Sequence, residues 1–257
     1  IVDVIAADTK DESNCGTTAA SRTTYTVGRA VVEAAQELRK KILEIAAEIF
    51  HVDPSLIELD GNKVIYNQKE RSLPLSEVAK FAEEPISASS VKRVAYSELP
   101  VKGAAVSNPH VLYASNVQIA QVAVDIETGE VKVERIVAIP DVGRVIFRDG
   151  LTGQFEGGIA MGLGYALMEK LIVKDGKIQN ADLVTYPVPT APDMPRIEVL
   201  PIEIPEETGP YGAKGIAELA PLPTAPAIIS AIEDAIGIRF TNLPVTPERI
   251  IEALEEK

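Results

Sequence analysis

A glycine-rich stretch, Thr208–Glu218, constrains this chain more than any other feature. It reads Thr-Gly-Pro-Tyr-Gly-Ala-Lys-Gly-Ile-Ala-Glu. Glycine tolerates positive φ and lets other groups approach the backbone, so this composition predicts a loop that wraps a ligand with its N–H groups. The proline-rich, apolar residues 219–229 would partly desolvate Glu218, which favours a general base. The alternative is a surface turn that places this carboxylate near a helix N-terminus.

Composition excludes several classes of function. The net charge of −13 argues against broad binding of nucleic acid and against docking on anionic membranes. The single cysteine, Cys15, excludes an intrachain disulfide and fits a reducing, cytoplasmic compartment. No apolar run is long enough to span a membrane, and no signal peptide opens the chain. Because the chain lacks an initiator Met and begins inside a predicted strand, residues 1–6, we expect a processed, split or truncated piece of a larger protein.

A long helix is predicted from about Thr26 to Phe50. Its apolar residues recur at steps of three and four, which places them on one face. This stripe consists of Val27, Val31, Ala34, Leu38, Ile42, Ile45 and Ile49. The other elements predicted in this half are a hairpin of 56–60 and 63–67 turned at Gly61-Asn62, a helix over 75–82 and a strand over 91–97. Residues 100–109 are interpreted as a linker between subdomains 1–105 and 106–257.

A run of polar residues directly precedes the long helix. The segment Thr18-Ala-Ala-Ser-Arg-Thr-Thr24 places hydroxyls and an arginine where unpaired N–H groups and the helix dipole attract anions. One alternative is ordinary N-capping by Ser or Thr. A cap needs only one hydroxyl, however, and this run has several in succession. The run therefore favours a phosphate site.

The second half opens with a predicted hairpin of 111–126 and 131–139. A glycine-dense helix follows over 153–168, and its glycines imply close packing because each costs up to about 1 kcal/mol in a helix interior. We expect these glycines to pack against another helix, and keep Gln154 and Glu156 as candidates for ligand contact. The remaining predicted elements are a hairpin over 171–178, a proline-rich surface segment over 186–205, helices over 224–236 and 247–256, and a brief strand over 239–241.

Local chemistry excludes several common active sites. No group of Cys, His and carboxylate residues has metal-ligand spacing, so no side-chain metal ligand is predicted. No glycine-rich segment has the Lys-Ser or Lys-Thr pair of a Walker A loop. What the residues themselves predict is an anion-binding helix start, a glycine-dense helix and a candidate base, in that order.

These three segments resemble the molybdenum hydroxylases, the family of xanthine dehydrogenase and aldehyde oxidase, over nearly the whole chain. The segment Thr18–Thr24 resembles the one that lines the substrate pocket and binds the phosphate end of the pterin. Its implied cofactor contacts are Ala20, Ser21, Arg22, Thr23 and Thr24. The sequence Gly153-Gln-Phe-Glu-Gly157 with Gly162-Leu-Gly164 resembles a helix start whose glutamine, here Gln154, contacts the cofactor.

The glycine-rich loop completes the resemblance. The residues Gly212-Ala-Lys-Gly-Ile-Ala-Glu218 resemble a family loop whose glutamate is the catalytic base, which implies Glu218 as the base and Gly215 as a cofactor contact. The family oxidatively hydroxylates an aldehyde or an N-heterocycle with oxygen from water, and its glutamate removes a proton from the attacking oxygen. Its metal is held by the pterin and not by side chains.

The resemblance also implies a fold, cofactors and partners. The fold is α+β, with two subdomains of mixed or antiparallel sheets and packed helices, equivalent to the C-terminal half of the molybdopterin-binding subunit. The cofactor is molybdopterin, or its cytosine dinucleotide, with molybdenum. Because the family's upstream half is missing, we expect a small-molecule hydroxylase that works only with a second molybdopterin-binding chain and with iron–sulfur and FAD subunits.

Two points keep other interpretations open. Ala217 stands where the family usually has glycine directly before the glutamate. Its methyl group leaves less space beside the backbone there, or requires negative φ. One alternative function is a non-catalytic assembly or cofactor-insertion protein that shares the fold. Another is an unrelated anion-binding α+β domain.

Overall fold

A computed structural model describes residues 2–6, 8–10, 15–67, 70–92 and 112–256. The chain divides into two units, Ile1–Ala95 and Tyr96–Lys257. The predicted linker over 100–109 and the subdomain boundary after residue 105 lie outside the described residues. Most of the predicted strand over 91–97 also lies outside them, and its two described residues have no regular structure.

The first unit is built on a long helix, α1 (Gly28–Phe50), as the periodicity predicts. A π-helical turn, Thr23–Val27, leads into it, so helical structure begins three residues before the predicted start. The other elements of this unit are the strands β1 (Ile57–Asp60), β2 (Lys63–Tyr66) and β3 (Arg71–Pro74) and the helix α2 (Leu75–Phe81). The strands form an antiparallel sheet in the order β1-β2-β3. The hairpin and α2 are confirmed, whereas β3 was not predicted.

The buried stripe of α1 is not the predicted one. The buried side chains are Leu43, Ala46, Ala47 and Phe50, which pack with β1, β2 and α2. The predicted residues Ile42, Ile45 and Ile49 are only partly buried at the margin of this cluster. Both stripes have the spacing of a helix face, so periodicity alone does not decide which of two adjacent stripes meets the core.

The predicted N-terminal strand is wrong. Residues 2–6 have no regular structure, and the side chains of Val2, Val4 and Ile5 are exposed. A strand forms only where a neighbour pairs its N–H and C=O groups, and no described strand of this chain pairs with this segment. The alternation of apolar residues therefore indicates that the segment favours a strand, but it does not show that a strand forms.

The second unit contains a three-stranded mixed sheet in the order β4-β5-β8. Its strands are β4 (Asn116–Val124), β5 (Val131–Pro140) and β8 (Arg196–Val199). β4 and β5 form the predicted antiparallel hairpin, while β5 and β8 are parallel. β8 lies inside the predicted proline-rich surface segment over 186–205 and was not predicted. A strand this short among prolines has too few residues to show an alternating pattern.

Helices cover one face of this sheet. They are α3 (Arg148–Leu167), α4 (Thr224–Ile236) and α5 (Pro247–Glu255), and a small hairpin, β6 (Val173–Lys174) and β7 (Lys177–Ile178), follows α3. These four predictions are confirmed within a few residues at each end. The core contains Phe155, Ile159 and Leu163 of α3 together with Ile228 and Ile232 of α4. The predicted strand over 239–241 is wrong, since these residues have no regular structure.

Part of the opposite face of the sheet is apolar, beside the charged side chains of Arg135 and Glu198. We call it the outer sheet face and define it by Val117 and Ile119 of β4, Val137 and Ile139 of β5, and Leu200 after β8. Val117 pairs with Ile139 and Ile119 with Val137, so the four side chains lie side by side. Val117 and Ile119 are 58% and 59% exposed. Among the described residues, no helix is long and apolar enough to cross a membrane.

Candidate functional site

The backbone before α1 has an unusual conformation. Ala20 and Ser21 both have positive φ, +55° and +51°, and Arg22 then returns to the right-handed helical region. Non-glycine residues rarely adopt positive φ, and such outliers concentrate at functional sites. Successive left-handed and right-handed residues also turn their N–H groups toward a common point, where an anion can bind. The predicted anion site therefore coincides with strained backbone.

The hydroxyl groups of this run do not cap the helix. Arg22 occupies the N-cap position of the π-helical turn, and no side chain forms a cap hydrogen bond there or at the start of α1. No acidic residue lies in the first turn of either. Within the described residues, the buried Oγ1 of Thr26 has no hydrogen-bond partner. The N-capping alternative therefore does not explain this run.

Arg22 has a structural contact of its own. Its Nε donates a hydrogen bond to the carbonyl of Thr17 at 3.0 Å, and Nη2 donates to the same carbonyl at 2.5 Å. Nη2 also lies 3.4 Å from the carbonyl of Cys15. The guanidinium group thus shapes the loop before the helix, while its side chain remains exposed.

The glycine-rich loop of the second unit folds tightly against the end of β5. Gly212 has φ of +87°, and its carbonyl accepts a hydrogen bond from the N–H of Glu206 at 3.0 Å. Gly143, which follows β5 and has φ of +70°, lies against this carbonyl so closely that a Cβ there would overlap it. Here glycine permits the contact of two backbones. The positive φ at position 212 accounts for the glycine there without a ligand bound to the N–H groups of the loop.

An ion pair joins the same two segments. Lys214 Nζ lies 2.6 Å from Asp141 Oδ2, and the two side chains are only 9% and 14% exposed. Burial by itself raises the pKa of Asp141. Hydrogen bonds from Lys214 Nζ and from the N–H of Gly143, with the positive charge of Lys214, outweigh burial and hold that pKa below its ordinary value. Asp141 is therefore a carboxylate at neutral pH.

Amide side chains of β4 hold the residues that follow Glu218. Asn116 Nδ2 donates to the carbonyl of Leu219 at 3.1 Å, and Gln118 Nε2 donates to the carbonyl of Ala220 at 2.8 Å. Gln118 Oε1 in turn accepts a hydrogen bond from Thr224 Oγ1 at 2.7 Å. Gln118 and Thr224 are both buried, so this network lies inside the protein.

The glycines of α3 pack against these same residues. A Cβ at Gly158 would lie 2.5 Å from the Cβ of Ala220, and one at Gly162 would overlap Thr224. The predicted packing of glycines against another helix is thus found at the start of α4. Gln154 lies one turn before Gly158, on the same side of α3, and is exposed.

Glu218 itself lies in a turn and is exposed in this chain. The expected desolvation of its carboxylate is therefore not provided by the described residues. The φ of Ala217 is not positive, which agrees with the expectation that its methyl group requires negative φ. Within the described ranges, no three His, Cys, Asp or Glu side chains could together hold a metal ion.

The predicted site residues divide between the two units. Ala20, Ser21, Arg22, Thr23 and Thr24 lie in the first, and Gln154, Gly215 and Glu218 lie in the second. Sequence reasoning did not find Asn116, Gln118 or Asp141. For the two amides a signal existed: both occupy a strand of otherwise mostly apolar residues, where a buried polar side chain needs a partner.

Comparison with known proteins gives the family. The model of the molybdopterin cofactor-binding domain matches residues 1–195. The xanthine dehydrogenase molybdenum-binding subunit of Escherichia coli O157:H7 is 32% identical over 236 residues, which cover 91% of this chain and 30% of that protein. Subunit gamma of the 6-hydroxypseudooxynicotine dehydrogenase complex of Paenarthrobacter nicotinovorans is 30% identical over 254 residues, which cover 97% of this chain and 31% of that protein.

A solved structure gives the fold independently. Quinoline 2-oxidoreductase from Pseudomonas putida 86 superposes with a TM-score of 0.78 at 24% identity, covering 93% of this chain and 31% of that one. The predicted α+β fold is confirmed. The chain spans about three tenths of the length of the curated relatives it matches. The chain belongs to the molybdenum hydroxylase family, in its molybdopterin cofactor-binding domain.

Proposed function

We propose that this chain is the molybdopterin-binding part of a molybdenum hydroxylase that oxidatively hydroxylates an aldehyde or an N-heterocycle with oxygen from water. The observation that carries this proposal is the position of Glu218, in a segment that one hairpin holds at Lys214 before it and at Leu219 and Ala220 after it. A relative named for xanthine, an N-heterocycle, supports the substrate class.

The donors of the helix start fit the phosphate end of the cofactor. Ala20, Ser21, Arg22, Thr23 and Thr24 would hold it, because the segment has several hydroxyls, no side chain caps the helical turn and no acidic residue lies in that turn. Gln154 and Gly215 would contact the pterin, whether or not it has a cytosine nucleotide. When bound, the cofactor would supply the redox chemistry of molybdenum.

Glu218 is the proposed general base. One of its carboxylate oxygens takes a proton from the water-derived oxygen that attacks the electron-poor carbon of the substrate. A positioned base of this kind contributes about 10²–10⁴-fold to a rate. Because Glu218 is exposed in this chain, the surface that excludes water from it belongs to the cofactor or to another part of the enzyme.

The partners are also part of the proposal. A second molybdopterin-binding chain would supply the rest of the site, and iron–sulfur and FAD subunits would carry the electrons away. This is supported by the names of two relatives, which are a molybdenum-binding subunit and subunit gamma of a dehydrogenase complex. The exposed thiol of Cys15, the single cysteine, supports a reducing compartment such as the cytoplasm.

The test is isotopic. The complex purified with its partner chains is assayed with xanthine and with benzaldehyde in H₂¹⁸O, with dichlorophenolindophenol as electron acceptor. We expect one ¹⁸O atom in the product and about one molybdenum per chain. A complex that contains the cofactor but oxidises neither compound would favour the assembly or cofactor-insertion function. Label arriving from ¹⁸O₂ would contradict the proposed reaction.

A further inference from the structure

The end of the β4–β5 hairpin opposite its turn meets the glycine-rich loop at two places. We call it the hairpin end: there Asn116 pairs with Pro140, and the N–H of Asp141 donates to the carbonyl of Ser115 at 2.8 Å. Paired strands are among the most rigid parts of a fold, because their backbone groups are satisfied within the sheet. Side chains that project from this end therefore provide fixed points.

The first contact lies before Glu218. Asp141 binds Lys214 through the buried ion pair, and the N–H of Lys214 donates to the carbonyl of Val142 at 3.1 Å. Main-chain and side-chain contacts thus fix the same loop residue. Removing Asp141 leaves a charged amine in a site from which water is largely excluded.

The second contact lies after Glu218. Asn116 and Gln118 hold the carbonyls of the first two residues beyond it, and Gln118 is fixed in turn by Thr224. Glu218 is therefore an exposed residue of a short segment that is held at Lys214 on one side and at Leu219 on the other.

We propose that Asn116, Gln118 and Asp141 are positioning residues for Glu218. The inference rests on the proposed function, since it assumes that Glu218 is the base. A base must lie within hydrogen-bond reach of the proton it removes, and a displacement of about 1 Å can cost 10²-fold in rate. The hairpin end fixes the backbone on both sides of this exposed carboxylate, and so limits its displacement.

Proteolysis tests the anchor without activity. Trypsin cleaves after lysine, so the bond between Lys214 and Gly215 reports how often this segment opens. In the purified complex, Asp141→Asn should accelerate the appearance of the peptide that ends at Lys214 by at least about 10-fold. Glu198→Gln is the matched control, because it breaks the exposed Arg135–Glu198 ion pair of the same sheet. Unchanged cleavage in Asp141→Asn overturns the proposal.

Kinetics test the positioning. With xanthine or benzaldehyde, whichever the wild-type complex oxidises, Asp141→Asn and Asn116→Leu should each lower kcat by about 10- to 10²-fold with little change in KM or molybdenum content. Introduced into Glu218→Gln, the same changes should cause almost no further loss, because they act through the base. Glu198→Gln should leave kcat unchanged.

The contrary outcomes are distinct. Equal losses with and without Glu218 indicate a general structural role and overturn the proposal, as does loss of molybdenum from both positioning variants. Wild-type turnover in Asp141→Asn, with Glu218→Gln inactive, overturns the positioning alone. Wild-type turnover in Glu218→Gln overturns the base assignment as well.

Discussion

At the scale of the residue, the two interpretations of Glu218 predict different results. Glu218→Gln keeps the size of the side chain and its hydrogen bonding but removes the proton acceptor. If Glu218 is the general base, Glu218→Gln should lower turnover by at least about 10²-fold and leave the cofactor content unchanged. If Glu218 only places a charge near a helix end, the variant should lose about 0.3–1 kcal/mol of stability and keep nearly normal turnover.

Reductive half-reaction rates and melting temperatures of the same purified complex decide between these results. Glu207→Gln is a suitable control, since Glu207 is an exposed carboxylate just before the loop. If the rate survives in Glu218→Gln, the base assignment is wrong.

The hydroxyls before α1 give a prediction about cofactor binding. Changing Thr23 and Thr24 to valine removes two donors to a buried anion, at about 1.5–3 kcal/mol each. Molybdenum and pterin content of the complex should fall, as measured by metal analysis and pterin fluorescence. Ser76→Ala, an exposed hydroxyl in α2, should leave both contents unchanged. Full occupancy in the double variant would exclude a role for these two residues.

The ion pair of Asp141 predicts a pH dependence of stability. Its pKa in the folded protein lies below the ordinary value of about 3.9, so its stabilisation is complete above that pH and is lost as the pH falls through the folded pKa. Asp141→Asn should lower the melting temperature at pH 7. The difference from wild type should shrink on going from pH 5 to about pH 3. A difference that is constant over this range would show that the charge of Asp141 does not stabilise the fold.

At the scale of the element, α3 offers a matched pair of glycine substitutions. A Cβ at Gly162 would overlap Thr224, while a Cβ at Gly157 would meet nothing within 4 Å. Gly162→Ala should destabilise the fold by about 1–3 kcal/mol through overpacking. Gly157→Ala should be neutral or stabilising by up to about 1 kcal/mol, because glycine is a poor helix former. Thermal unfolding of both variants measures this, and similar melting temperatures would contradict the close packing of α3 on α4.

The elements also show what the sequence could predict. The long elements were predicted correctly: α1, α3, α4 and the β4–β5 hairpin are all present. Two of the errors concern segments whose structure depends on a distant neighbour. Residues 2–6 have strand character but no described partner strand, and β8 forms because β5 offers it an edge. The sequence pattern of a segment shows its preference for strand structure, but a strand forms only where a neighbouring strand pairs with it.

The same limit applies to the candidate site. The loop and Glu218 are visible in the sequence because glycines and a single carboxylate stand together there. The residues that hold the loop are separated from it by 73 positions for Asp141–Lys214 and by 102 for Gln118–Ala220. No local pattern links such pairs, so the supporting contacts became visible only in the fold.

At the scale of the whole molecule, large apolar side chains are exposed at several places, the outer sheet face among them. Val117 and Ile119 of that face are 58% and 59% exposed. Within residues 216–229, by contrast, Ile228 is fully buried, while Leu222 is 70% exposed. A contiguous apolar patch of this kind marks an interaction surface or, in its absence, an aggregation risk.

The chain produced without partners should therefore self-associate. The outer sheet face places Val117, Ile119, Val137 and Ile139 side by side, and covering it removes apolar area from water at about 25 cal/mol per Å². Analytical ultracentrifugation over a range of concentrations should show concentration-dependent species larger than the monomer. The double variant Val117→Lys with Ile119→Lys should restore the monomer, since two charges on a patch this small oppose its burial. Val184→Lys, at a residue that is 90% exposed and lies outside this face, is the control and should not restore the monomer. A wild-type chain that sediments as a monomer at all concentrations and unfolds cooperatively would contradict both the role of this face and the need for a partner chain.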